Sequence, residues 1–130
     1  PGLLRDGPPL RVPADLAAHT LLRSVGDSQS QSLEWQPWLE AMGQADLQPA
    51  ATLGFTQYDG VIAAAALGQG VAMGRRPLVD ELLCDGRLVT PFEGELATPR
   101  GYFVVINPRA EQDPTVRALA AWLHQEAGTG

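Results

Sequence analysis

Lysine is missing from this 130-residue chain; all nine basic side chains are arginine. Fifteen acidic residues outnumber them, giving a net charge of −6 and a pI near 4.7. That balance is a poor fit to a surface that neutralises a phosphate backbone, so direct DNA binding by these residues is not expected. Cysteine is nearly absent. The single Cys84 excludes an internal disulfide and a cysteine-based zinc site, and it fits a reducing, cytoplasmic compartment. No apolar run approaches the length of a membrane span. No signal-peptide pattern is present, which a fragment or a mature chain would also lack. The opening PGLLRDGPPL has no Met, so an excised piece of a longer protein is expected. His19 and His124 lack metal-ligand spacing. There is no Ser/His/Asp arrangement, paired-carboxylate pattern or Walker-type loop. Gly68-x-Gly70 follows a helix rather than a strand and lacks the rest of the dinucleotide fingerprint. No cofactor is implied.

What is present is enough apolar content, 45%, for the core of one compact domain. The organising stretch runs from Ala50 to Phe92. Ala51-Thr52-Leu53-Gly54-Phe55 reads as a short strand. Thr56 can cap the following helix, with Asp59 three residues on. Val61, Ile62, Ala65 and Ala66 give that helix an apolar face, and Gly68 and Gly70 stop it. Val71-Ala72-Met73 reads as a buried strand. Arg75-Arg76-Pro77 opens the next helix, with Pro near its first position. Leu78, Val79, Leu82 and Leu83 form its buried stripe, and Gly86 ends it. Leu88-Val89 is a last short strand. Strand–helix alternation with tight Gly turns predicts a parallel sheet. Such sheets bind ligands beyond the carboxyl ends of their strands, here Phe55 to Tyr58 and Gly74 to Arg76.

Before this stretch, Leu3-Leu4 lie in one helical turn and Pro13-Ala14-Asp15-Leu16 in a second short helix with Leu16 inward. His19 to Ser24 is the first strand. Gly26 to Ser32 reads as a polar loop, and Glu34 to Met42 as a helix with Trp35, Trp38, Leu39 and Met42 at helical spacing. After it, Glu93 to Arg100 is a loop. Gly101 to Ile106 is the strongest strand by composition. Pro114 then starts a helix to about Ala127, with Val116, Leu119, Ala120, Leu123 and Ala127 as one apolar stripe beside Trp122.

Phe55-Thr56-Gln57-Tyr58-Asp59, the run Ala64 to Val79 and Asp85-Gly86-Arg87-Leu88-Val89-Thr90-Pro91-Phe92 together resemble LysR-type transcriptional regulators. So do Arg100 to Val105, Val116 to Leu123, Gly7-Pro8-Pro9-Leu10 and Trp35-Gln36-Pro37-Trp38-Leu39. The order and spacing are most similar to the subgroup containing glycine-cleavage activators and β-lactamase regulators. The resemblance covers nearly the whole chain. It implies an α/β lobe like those of type 2 periplasmic binding proteins, with a mostly parallel five-stranded sheet, flanking helices and one antiparallel crossing strand. Residues 1–106 would be the second lobe of an effector-binding domain. Residues 107–130 would carry a helix returning to the first lobe. Most of that lobe and the winged helix-turn-helix are outside the pattern. The implied function is small-molecule sensing by a bacterial regulator that is not an enzyme, is a homo-oligomer, and reaches DNA only through its N-terminal domain. The other reading with this fold is a lobe of a periplasmic solute-binding protein. A third, an enzyme tethering a cofactor through Cys84, would add mass to the purified protein.

Candidate effector-binding residues follow. Thr56, Gln57 and Tyr58 sit at a helix N-terminus, where free N–H groups and the dipole favour an anion. The plainer reading there is capping, with Tyr58 covering the core edge. Tyr102 would face the effector from the crossing strand, although a strand Tyr is also an ordinary core residue with its hydroxyl at the rim. Tyr58 and Tyr102 are expected to share a hollow. Arg75 and Arg76 at a helix N-terminus oppose the dipole by roughly 0.3–1 kcal/mol; Asp80 can offset this, or an anionic effector or partner can. Asp27, Ser28 and Ser30 read as a cleft lining or as solvated loop. Cys84 and the three Trp residues read as packing. Leaving the stripe of the last helix wet would forfeit about 1.5–3 kcal/mol per large side chain, so it should pack on another copy or fold back onto the lobe.

Overall fold

The computed structural model describes residues 1–25, 35–93 and 103–128. The chain divides into two compact units, Pro1–Leu96 and Ala97–Gly130. In the first, β1 (Thr20–Ser24) lies between β2 (Ala51–Phe55) and β3 (Val71–Ala72), giving the order β2-β1-β3. Both pairings are parallel. Thr20 to Ser24 run in register with Ala51 to Phe55, and Leu21 and Leu22 pair with Val71 and Ala72.

A central strand in a parallel sheet is covered on both faces, so its side chains alternate between two cores. Leu21 packs with Leu10, Leu16, Trp35, Trp38 and Leu39. Leu22, fully buried, packs with Val61 and Ala64. The first core is closed by a 3-10 turn at Pro13–Ala18 and by α2 (Gln36–Ala41), while α1 (Gly2–Asp6) buries no residue. Leu16 faces inward as its spacing predicts. The Asp15 carboxylate accepts from the backbone N–H groups of Arg11 (2.8 Å) and Val12 (3.1 Å). These bonds, the one from Arg11 first, hold its carboxyl below the usual Asp range. Trp35 and Trp38 meet edge to face, and Trp38 stacks on Phe92. Buried His19 donates from Nε2 to the Pro9 carbonyl at 3.2 Å.

The second core is closed by α3 (Tyr58–Ala66). Its buried positions are Val61, as predicted, and Ala64 beside the predicted face, while Ile62, Ala65 and Ala66 are half-buried. Gly68 takes φ +75°, a conformation that favours glycine, and ends the helix. Gly70 admits a close approach: a Cβ there would stand 2.5 Å from the Thr20 carbonyl oxygen.

Several expectations are corrected. Three strands, all parallel, occur among the described residues, not five with one antiparallel. Leu88-Val89 forms no strand; the Leu88 N–H turns back to the Leu82 carbonyl at 2.9 Å and caps a helix end instead. Phe103 to Ile106 make no ladder, and Phe103 and Val105 are largely exposed, because β-propensity without a pairing edge does not make a strand. The helix expected from Pro77 is only α4 (Asp80–Cys84), preceded by a turn that buries Val79 and exposes Leu78. Cys84 is exposed rather than packed.

In the second unit, Asn107 opens a 3-10 turn at Pro108–Ala110, and α5 (Pro114–Ala127) follows. Asp113 caps α5 by accepting from the Thr115 N–H at 2.8 Å, with Pro114 at the first helical position. No residue of α5 is buried. Along its apolar stripe Leu119 and Leu123 are exposed while Val116 and Ala120 are half-buried, and Trp122 beside it is exposed, against the expectation that the stripe is covered. No described helix is long and apolar enough to cross a membrane.

Candidate functional site

With β1 in the middle, the chain leaves β2 and β3 on opposite sides of the central strand's carboxyl end. This reversal of direction is where open α/β sheets hold ligands. Three of the predicted residues follow β2. Thr56 and Gln57 form the turn, and Tyr58 begins α3. The cap is Gln57, in extended conformation, and it makes no side-chain cap bond. Thr56 therefore does not fill the capping role its hydroxyl suggests, because the helix starts one residue too late for it.

Tyr58 and Arg75 come together, although 17 residues separate them. The Tyr58 hydroxyl donates to the Met73 carbonyl at 3.2 Å and accepts from the Arg75 backbone N–H at 2.8 Å. The Arg75 guanidinium lies over the Tyr58 ring, 4.5 Å from its centroid. Tyr58 starts beyond β2 and binds the segment just beyond β3. Since β1 lies between those strands, the ring spans the end of the central strand. This tie joins the two loops that line the crevice. The cation–π contact also answers part of the question posed by two arginines: Arg75 has the ring face, and Arg76 has Asp80 at 3.4 Å, one helical turn on.

Tyr102 lies outside the described residues, as do Asp27, Ser28 and Ser30. The structure therefore brings Tyr58 and Arg75 together, sets Thr56 and Gln57 beside them in sequence, and leaves Tyr102 as an expectation. Among the described residues no group of His, Cys, Asp and Glu could hold a metal ion.

Two features were not legible from local patterns. One is an apolar cavity of about 140 Å³ between β3, α3 and α4, lined by Leu3, Ile62, Val71, Val79 and Leu83 among others. It holds none of Thr56, Gln57, Tyr58 or Arg75, and no charged side chain. Binding sites need a few convergent polar groups to orient a ligand, so the crevice is the better candidate. The other is Arg23 in β1. Its Nε is shielded from water and has no hydrogen-bond partner among the described residues. A charge directly after the apolar pair Leu21-Leu22 of a strand was its only sequence signal.

Residues 1–128 match the sequence profile of the LysR substrate binding domain. The chain belongs to that family. As a LysR substrate-binding domain, it is 28% identical over 127 residues to the glycine cleavage system transcriptional activator of Escherichia coli (strain K12), covering 98% of this chain and 40% of that protein. It is 29% identical over 107 residues to the HTH-type transcriptional regulator DsdC of Escherichia coli (strain K12), covering 82% and 34%. Among solved structures, the effector domain of the transcriptional regulator AmpR of Pseudomonas aeruginosa matches with a TM-score of 0.65 and 26% identity, over 91% of this chain and 55% of that one. These relatives are transcriptional regulators, not periplasmic solute-binding proteins. The LysR chain described here spans about two-fifths of the length of the glycine-cleavage activator.

Proposed function

We propose that this chain is the second lobe of the effector-binding domain of a cytoplasmic LysR-type transcriptional regulator. A small-molecule effector binds against Thr56, Gln57, Tyr58 and Arg75, with Tyr102 contributing from the returning segment. Residues 107–130 return to the first lobe, and the apolar stripe of α5 is the surface that lobe or another copy covers. The protein works as a homo-oligomer, touches DNA through its N-terminal domain, and catalyses no reaction. The observation that carries this reading is the Tyr58 tie across the end of β1. An effector that competes for the Tyr58 hydroxyl or the Arg75 N–H would move the β2 and β3 exits relative to each other. The family match over residues 1–128 supports the regulatory role.

The mechanism is a population shift. An effector changes the interlobe equilibrium only by its difference in affinity for the two geometries. One charge-assisted hydrogen bond formed in a single geometry contributes about 1.5–3 kcal/mol, or roughly a 10- to 150-fold bias. Transcription from the regulator's own promoter, measured with Thr56→Ala and Tyr102→Phe in the full-length protein, tests the site. The expected outcome is a weakened response to inducer in both. An unchanged response in both would show that the effector binds elsewhere.

A further inference from the structure

We propose that Arg23 anchors an oxyanion of the effector, a carboxylate or phosphate group, at the carboxyl end of the central strand. The inference rests on the sensing reading above and adds both a residue and a ligand class to it. Arg23 is the penultimate residue of β1, the strand flanked on both sides. Leu21 and Leu22 before it are buried. Side-chain alternation puts Arg23 on the face of Leu21, toward the aromatic layer of α2. Its register partner on β2 is Gly54, which offers no polar side chain, and the register places apolar Met73 level with it beyond β3.

The side chain is half-buried, its Nε is out of contact with water, and no hydrogen bond or ion pair satisfies it among the described residues. Asp80 Oδ1 is also shielded, but Arg76 Nε stands 3.4 Å from it. Arg23 has no such opposite charge among the described residues. A guanidinium cannot discharge itself by losing a proton, so an unmatched, partly buried one is unfavourable until an anion arrives. Snorkelling would bring the terminal nitrogens to water but would leave Nε shielded. Its fork of N–H donors matches two oxygens of a carboxylate or phosphate. The place is the carboxyl end of the central strand, where parallel sheets hold ligands, on the face opposite α3.

Thermal unfolding of the full-length protein tests this, with wild type, Arg23→Lys and Arg23→Met. The probes are sodium acetate, glycine and inorganic phosphate, with acetamide and glucose as neutral controls, all at one ionic strength. A ligand that binds only the folded state raises Tm with its concentration. Acetate or glycine, or else phosphate, should raise the wild-type Tm where acetamide does not, and which anion acts identifies the source of the oxyanion. Arg23→Lys should keep part of the shift and Arg23→Met none. Without ligand, Arg23→Met should melt at or above the wild-type temperature, because it removes a charge that has no partner to strand. A retained shift in Arg23→Met overturns the proposal. So does a lower unliganded Tm, or failure to fold, in that variant, since either would reveal an acidic partner elsewhere in the protein. Absence of any anion-dependent shift in wild type overturns it too. If Arg23→Met keeps the shift and Thr56→Ala loses it, Arg23 is wrong and sensing at the crevice stands. If neither anions nor neutral compounds shift the wild type, and Thr56→Ala and Tyr102→Phe leave the inducer response intact, the sensing reading itself fails.

Discussion

The two units of this chain carry the same kind of sequence signal and meet opposite fates. In Pro1–Leu96 an apolar run, β1, and the apolar face of α3 bury each other; Leu22 and Val61 are almost wholly out of water. In Ala97–Gly130 an equally clear stripe on α5 buries no residue fully, with Leu119 56% exposed. A local pattern specifies which side of an element wants burial, not whether a surface is there to bury it. What holds α5 as a helix is local: the Asp113 cap and Pro114 at its start. What holds the first unit is packing around a central strand, which is why the candidate site lies there.

The sharpest way to break this contrast is a pair of truncations. In the 130-residue chain, Leu22→Ala should cost about 2–5 kcal/mol, the usual penalty for emptying a core site. Leu119→Ala should stay within about 0.5 kcal/mol, as exposed substitutions do. Urea unfolding followed by the fluorescence of Trp35 and Trp38 reads both. In the full-length regulator the Leu119→Ala cost should rise toward that of a core site if a first lobe or second copy covers the stripe. A large cost already in the 130-residue chain would end the contrast.

The next effect concerns the tie. Tyr58→Phe keeps the ring under Arg75 but removes the hydroxyl that bonds Met73 and Arg75. The expected loss is about 1–2 kcal/mol, because the group is only partly buried and water can replace it. The backbone N–H of Arg75 should exchange faster with solvent at the same time. Wild-type exchange at Arg75 in the variant would mean that the tie does not hold the β3 exit.

The smallest effect sharpens the stability of the first unit with pH. Asp15 has a folded pKa below its unfolded value, chiefly through the Arg11 N–H, so it stabilises the fold in its charged form. That contribution is fully present above the unfolded value of about 4 and is lost as pH falls through the lower, folded value. The stability gap between wild type and Asp15→Asn should therefore be constant near neutrality and narrow below about pH 4. A gap that widens on acidification would mean the carboxylate is not the stabilised form.

Periodicity and turn chemistry made much of the fold legible. The strands at Thr20–Ser24, Ala51–Phe55 and Val71–Ala72 and the helices at 36–41, 58–66 and 114–127 follow from apolar spacing, Pro and Gly. Ends were less legible: α4 begins at Asp80, three residues past Pro77, because burial of Val79 sets the preceding turn. The site was half legible. Thr56, Gln57 and Tyr58 stand out as a strand-to-helix turn. The meeting of Tyr58 with Arg75 depends on the strand order β2-β1-β3, which no local pattern encodes. Gly101 to Ile106 shows the reverse error, a strand read from composition where Phe103 to Ile106 find no ladder to join.

The most direct measurement is amide hydrogen exchange on the full-length regulator, with and without the small molecule that triggers its transcriptional response. Binding between the exits of β2 and β3 predicts slower exchange at residues 56–61 and 73–76. Slowing confined to the apolar cavity segments, around residues 3–10 and 82–91, with the Tyr58 and Arg75 amides unchanged, would place the metabolite elsewhere and contradict the account.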